Sequence, residues 1–311
     1  MNKIPVWIDT DCGVDDALAI LCALKLEELD IVGMSSGVGT TTHENTFRNT
    51  RNILKLAGRE DIRVNPGADS SWIDAYRPAP AYHGENGLGD VILEDSDVLK
   101  ETEHAWDAIY EKAKELGHEL TVVTIGQLTN LATALVKYPD LKDHVKQISI
   151  MGGAIDGGNT TPCSEANIVR DPYAAQCVFK SDIPIRLFPL DVTEKVFLTP
   201  DELGGLKQNK VTDFLKEATK IAIDTNRRNG YGDSYCMHDL CPVMELVHPE
   251  LFSSRKAGVY VETRSELSYG KTVSDLYVLS DHTFEHKNAD IYLEADRKSL
   301  VRYVINILES Y

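Results

Sequence analysis

Ile4-Pro5-Val6-Trp7-Ile8-Asp9-Thr10-Asp11-Cys12-Gly13-Val14-Asp15-Asp16-Ala17-Leu18 passes from a short apolar run, through a cluster of acids, into a second apolar stretch of different spacing. Residues 4–9 read as a buried strand and residues 15–26 carry helical apolar spacing, so the segment opens a strand-to-helix unit. The same alternation continues outward, with strands at 31–36, 120–125, 147–151 and 185–190 and helices at 43–57, 106–116, 128–136 and 172–179. Gly58 and Gly117 follow two of these helices, where glycine is a favoured stop. Alternating strands and helices predict an α/β fold with a mainly parallel, Rossmann-like sheet flanked by helices, joined by right-handed crossovers. Beyond residue 195 the pattern changes to a long helix over 213–226 and antiparallel hairpins over 256–272. No linker or repeat divides the chain, so a single domain over residues 1–311 is expected.

Four acids fall within the eight residues from Asp9 to Asp16. Residues two apart on a strand share a face, which puts Asp9 and Asp11 together, while Asp15 and Asp16 occupy the first helical turn. One or two carboxylates at a helix N-terminus are ordinary capping. Four are not, because each pair about 4 Å apart repels by roughly 1 kcal/mol even in water and by more in a buried site. A bound hard cation such as Ca²⁺ or Mg²⁺ is the usual compensation. Open α/β sheets bind ligands beyond the carboxyl ends of their strands. Gly126-Gln127-Leu128-Thr129-Asn130 and Gly152-Gly153 lie at such ends, so three loops should converge on one crevice.

With 32 Lys and Arg against 49 Asp and Glu, the net charge of the 311-residue chain is −17. That sign disfavours phosphate backbones, so no nucleic-acid partner is expected. The longest apolar run, Ala17 to Leu24, is eight residues, far short of the about 20 needed to span a membrane. The first residues carry no basic-then-apolar signal pattern, and the six scattered cysteines have no zinc-finger spacing. Free thiols and a cytoplasmic location are the expectation.

Taken together, Asp9-Thr10-Asp11-Cys12-Gly13-Val14-Asp15-Asp16-Ala17, His83-Gly84-Glu85-Asn86-Gly87-Leu88-Gly89, Ile125 to Asn130, Met151-Gly152-Gly153, Asn159, Glu165-Ala166-Asn167 and His238-Asp239 resemble the calcium-dependent nucleoside hydrolases of the inosine–uridine type. The resemblance runs over nearly the whole chain and implies cleavage of the N-glycosidic bond of small-molecule ribonucleosides to free base and ribose. It implies a Ca²⁺ site made by Asp11, Asp16, Asp239 and the backbone carbonyl of Ile125, with Asp11 activating a water. Asp15, Asn159, Glu165, Asn167 and Asp239 would hold the ribose, and His83 and His238 would lie toward the base, His238 protonating it as it leaves. The resemblance also implies that Met151 and Thr40 belong to the substrate-binding set. Tyr231 and Tyr235 either cap the base from a mobile loop or simply pack within it. A homodimer or homotetramer is implied as well.

The roles are chemically coherent. Ribosyl C–N cleavage passes through an oxocarbenium-like state that surrounding carboxylates favour, and a histidine is a suitable acid near neutral pH. Gly39-Thr40 departs from the Gly-Asn common in the family, and Ala166 stands where an aromatic residue is frequent; both bear on base preference, not on reaction type. Two other functions fit parts of the sequence. A Mg²⁺-dependent phosphohydrolase would use Asp9-Thr10-Asp11, but Gly13 is out of pattern and Asp15-Asp16 would have no role. A non-catalytic ribonucleoside-binding protein is opposed by the presence of both His238 and Asp11.

Overall fold

The computed structural model describes residues 3–73, 78–276, 284 and 286–311. Its strands are β1 (Ile4–Thr10), β2 (Leu29–Ser36), β3 (Val64–Pro66), β4 (Leu120–Thr124), β5 (Val145–Met151), β6 (Ile185–Phe188), β7 (Phe197–Leu198), β8 (Tyr235–Cys236), β9 (Phe252–Ala257), β10 (Val259–Val261), β11 (Thr272–Ser274) and β12 (Ala289–Ala295). Among the described residues, eight strands form one sheet in the order β3-β2-β1-β4-β5-β6-β12-β9. Every neighbouring pair is parallel except β12 with β9 at the edge. Helices and hydrophobic cores cover both faces, which is why β4 is buried at all five residues and β5 at its last four.

The chain builds outward from β1 through β2 to β3, then returns to β4 on the other side of β1 and builds toward β6. Sheet order therefore reverses between β1 and β4. Their carboxyl ends are not closed over by a crossover, and a crevice opens there. The helix Val14–Ala23 leads away from that crevice with nine of its ten residues buried, Asp15 being the exception. It packs beneath Leu240–Met244 and Arg297–Glu309. A helix buried nearly all round has one seat, so the acidic loop that precedes it is held in place.

Most predicted elements appear within a few residues of their expected bounds, and Gly58 and Gly117 adopt the left-handed conformation at their helix ends. Four differences are informative. The long helix expected over 213–226 is two, Lys210–Ala218 and Lys220–Asn229; between them the Thr219 hydroxyl bonds back to the Leu215 carbonyl at 2.8 Å, a competitor to helix propagation. The strand expected over 185–190 ends at Phe188 because Pro189 caps a short helix, Leu190–Thr193. In the region expected to form hairpins, β10 does pair antiparallel with β11, whereas β9 joins the edge of the main sheet against β12. The strands β3 and β12 and the final helix Arg297–Glu309 add to the elements expected from the sequence. All six cysteines are free, and no helix among the described residues is long and apolar enough to cross a membrane.

One backbone position links the fold to the crevice. Trp7 faces Gly33 across β1 and β2, and its indole N–H donates to Ser35 Oγ at 2.9 Å, which in turn donates to Asp9 at 2.5 Å. A Cβ on Gly33 would lie 2.3 Å from the Trp7 ring. Gly33→Ala should therefore cost about 1–3 kcal/mol by overpacking, read as a lower urea midpoint at unchanged m-value. An unaltered midpoint would show that the Trp7 ring is free to move away.

Candidate active site

The crevice is floored by the end of β1. The Asp9 carboxylate accepts from Ser35 Oγ at 2.5 Å and from Asn130 Nδ2 at 2.8 Å, tying β1 to β2 and to the helix after β4. Burial raises its pKa to about 7. One step further, Asp11 Oδ2 accepts from the Thr40 amide at 2.6 Å and from Arg170 Nη1 at 3.2 Å. The Thr40 hydroxyl also donates to the Asp11 carbonyl at 2.5 Å. Glycines let this happen. A Cβ on Gly39 would lie 2.0 Å from Asp11 Oδ2, and one on Gly126 2.9 Å from Asp11 Oδ1. Burial raises the Asp11 pKa to about 6, with Arg170 pulling the other way.

Asp16 reaches back over the start of its own helix. It accepts from the Thr10 hydroxyl and from the Gly13 amide, the latter at 2.8 Å. Asp239 enters from the far part of the chain, just before Leu240–Met244, and is 2% exposed. Carboxylate oxygens of Asp15, Asp16 and Asp239 all lie within 4.8 Å of one another. Burial, followed by the neighbouring carboxylates, pushes Asp16 and Asp239 well above the usual carboxylate range. Asp15 Oδ1 is buried without a hydrogen-bond partner. Three clustered hard-oxygen donors, one of them orphaned, fit a divalent cation.

The Gly152-Gly153 turn and residues 159–170 form the opposite wall. Glu165 is 1% exposed and both its oxygens are taken by amides, those of Gly153 and Asn167 at 2.8 Å and of Ile168 at 3.2 Å. Burial raises its pKa to about 7 against these hydrogen bonds. Asn167 Nδ2 donates to the carbonyls of Ile125 at 3.1 Å and Met151 at 3.3 Å, bridging the ends of β4 and β5. Asn159 is exposed and its side-chain oxygen accepts from the Ala166 amide at 3.0 Å.

Two histidines complete the rim. His83 Nδ1 accepts from the Val14 amide at 3.3 Å and lies 3.8 Å from Asp15 Oδ1. His238 Nδ1 lies 2.8 Å from the Thr193 hydroxyl. Burial lowers both pKa values. Tyr235 is buried in β8 beside the acids, while Tyr231 is 73% exposed. The structure thus gathers Asp11, Asp15, Asp16, Asp239, Thr40, His83, His238, Ile125, Met151, Glu165 and Asn167 about one crevice, and leaves Tyr231 and Asn159 facing solvent.

Sequence reading passed over Arg170, Thr193 and Ser35. The available signal for Arg170 was its place three residues after Asn167, one helical turn on. Thr193 and Ser35 carried none.

A family model described as inosine-uridine preferring nucleoside hydrolase matches residues 6–302. A non-specific ribonucleoside hydrolase from Escherichia fergusonii is 36% identical over 307 residues, 98% of each chain. A pyrimidine-specific ribonucleoside hydrolase from Shewanella woodyi is 34% identical over 310 residues, 99% of this chain and 98% of that one. Among solved structures, a plant nucleoside hydrolase superposes with a TM-score of 0.92 at 30% identity, covering 99% of this chain and 100% of its own. A purine-preferring ribonucleoside hydrolase from Gardnerella vaginalis has a TM-score of 0.90 at 30% identity, covering 98% of both.

The raised pKa of Glu165 has a definite sign in stability. The group ionises near pH 7 when folded, against an ordinary value of 4.5. Its contribution is fully present below the ordinary value and is lost as pH rises through the folded one. Metal-free protein carrying Glu165→Gln should therefore lose less melting temperature than the parent between about pH 5 and about pH 7.5. Parallel melting curves for the two proteins across that interval would contradict the assignment.

Proposed function

The chain belongs to the inosine–uridine preferring nucleoside hydrolase family and hydrolyses the N-glycosidic bond of ribonucleosides to free base and ribose; from that premise we propose how its residues divide the work. The observation that carries the proposal is the trio Asp15, Asp16 and Asp239 within 4.8 Å, at the strand ends that also present Glu165 and Asn167. Residues 1–311 act as one catalytic unit, which the sheet supports by drawing strands from both halves of the chain.

Asp16 and Asp239 would hold Ca²⁺ together with Asp11 and the Ile125 carbonyl, and Asp15 stands close enough to share the charge. When bound, the ion would supply the positive charge that positions a water and makes it more acidic. Asp11 takes the proton from the attacking water. Asp15, Asn159, Glu165, Asn167 and Asp239 hold the ribose hydroxyls, and their carboxylates favour the positive charge that develops on the sugar. Thr40 and Met151 line the sugar side. His83, Tyr231 and Tyr235 lie toward the base. The Thr193 hydroxyl occupies His238 Nδ1, which leaves Nε2 to deliver a proton to the departing base. The substrate is an inosine- or uridine-like ribonucleoside. Assembly as a homodimer or homotetramer completes the reading, as the resemblance to the family implies.

Purified protein should release reducing sugar from inosine or uridine and no phosphate from a phosphomonoester. Chelation should remove the activity and Ca²⁺ should restore it. Full activity after exhaustive chelation would sink the metal assignment, and absence of ribose release from any ribonucleoside would sink the function.

His238→Ala should lose roughly 10²-fold or more on inosine, whose base leaves slowly without a proton, yet keep most of its rate on p-nitrophenyl riboside, whose phenolate needs little help. Equal losses on both substrates would take the acid role away from His238.

A further inference from the structure

We propose that Arg170 is a positioning residue, a resident counter-cation that fixes Asp11 and competes with the divalent ion for it. The inference rests on the metal reading above. Arg170 and Asp11 side chains are 11% and 3% exposed, and Nη1 meets Oδ2 at 3.2 Å. Burying a guanidinium is costly without a partner, and Asp11 is the hydrogen-bonding partner the guanidinium has among the described residues.

The backbone that delivers Arg170 is clamped on both sides. Its amide bonds to the Ala166 carbonyl at 3.1 Å at the end of the short helix that Glu165 caps. The next residue, Asp171, is 1% exposed and accepts from the Thr129 hydroxyl at 2.7 Å and the Trp72 amide at 2.9 Å. The stem of the side chain is thus fixed, and the ion pair with Asp11 offsets the rotamer freedom that a long side chain loses when held in one place.

What it reaches is one oxygen of Asp11. Oδ2 is held by Arg170 and by the Thr40 amide. With Oδ2 so held the carboxylate is fixed in orientation, and Oδ1 lies on the side of Gly126. The guanidinium also claims one of the groups the ion needs. Asp11 bonds Arg170, and the ion that Asp16 and Asp239 would hold draws on Asp11 as well. A fixed positive charge bonded to one of the ion's ligands opposes a second cation, by Coulomb repulsion in a poorly screened site. Removing it should strengthen cation binding and weaken catalysis at once. General damage to the fold would weaken both.

The test measures Ca²⁺ affinity of the full chain by calorimetric titration after chelator stripping, and kcat and KM for inosine and uridine at saturating Ca²⁺. Arg170→Gln should bind Ca²⁺ about tenfold tighter or more, lose about tenfold or more in kcat, and keep KM within about threefold. Arg170→Lys, which restores charge without the planar fork, should return Ca²⁺ affinity to the parent value. Unchanged or weaker Ca²⁺ binding in Arg170→Gln, or an unchanged kcat, overturns the proposal. Should Arg170→Gln fail to fold, Arg170→Lys decides: parental Ca²⁺ affinity with a reduced kcat supports the proposal, and parental kcat overturns it. A parent protein that hydrolyses ribonucleosides but binds no Ca²⁺ overturns both the metal reading and this proposal, whereas a parent that binds Ca²⁺ while Arg170→Gln matches its affinity overturns this proposal alone.

Discussion

Buried carboxylates at the β1–β4 switch point repel one another, and the rest of the molecule is arranged around that repulsion. Asp9, Asp11, Asp16, Glu165 and Asp239 are each no more than 2% exposed. An ionised carboxylate without a partner in such a place would be prohibitive. Four of the five are therefore given donors of their own: Ser35 and Asn130 for Asp9, Thr40 and Arg170 for Asp11, Thr10 and Gly13 for Asp16, and three amides for Glu165. These donors come from β2, the helix after β4 and the wall beyond β5, so the sheet order is what makes the arrangement possible. Asp15 Oδ1 is left over, beside Asp16 and Asp239, and there the chemistry calls for a cation.

That surplus of negative charge suits the reaction of the family. Charge in the transition state of C–N cleavage builds up as positive charge on the sugar, and a site already negative and rigid favours it without reorganising. Rigidity comes from the apolar half of the structure. The helix Val14–Ala23 is seated in the core, Gly39 and Gly126 close on Asp11 from two sides, and the Trp7–Ser35–Asp9 chain fastens the end of β1 to its neighbour. The relatives that share this framework are described as non-specific, pyrimidine-specific and purine-preferring. In this chain Tyr231 is exposed and residue 166 is the small Ala166.

Local sequence carried a large share of the outcome. A strand has period two and a helix 3.6, and both are written within a dozen residues, so the strand ending in Asp9-Thr10-Asp11, the glycine stops at Gly58 and Gly117 and the βα alternation were legible without coordinates. So was the clustering of acids, because Asp9 to Asp16 are close in the chain itself. The expected convergence of three strand ends was legible as well, since an alternating order with two runs of strands has few foldings. Where local signals conflicted, reading failed. The break at Thr219 is a single hydroxyl competing for one carbonyl, too small a signal against continuous apolar spacing, and β9 could not be told from a hairpin arm because alternation does not say which partner a strand will choose.

Tertiary structure alone decided the pairings. Arg170 meets Asp11 across 159 residues, Asn130 meets Asp9 across 121, and Thr193 meets His238 across 45. The entry of Asp239 among Asp15 and Asp16 is of the same kind. Sequence shows which residues carry charge or a donor. Which donor answers which charge depends on distances of a few ångströms between elements whose separation along the chain bears no relation to their separation in space, and those distances are set by how the apolar helices pack on the sheet, not by the polar residues themselves.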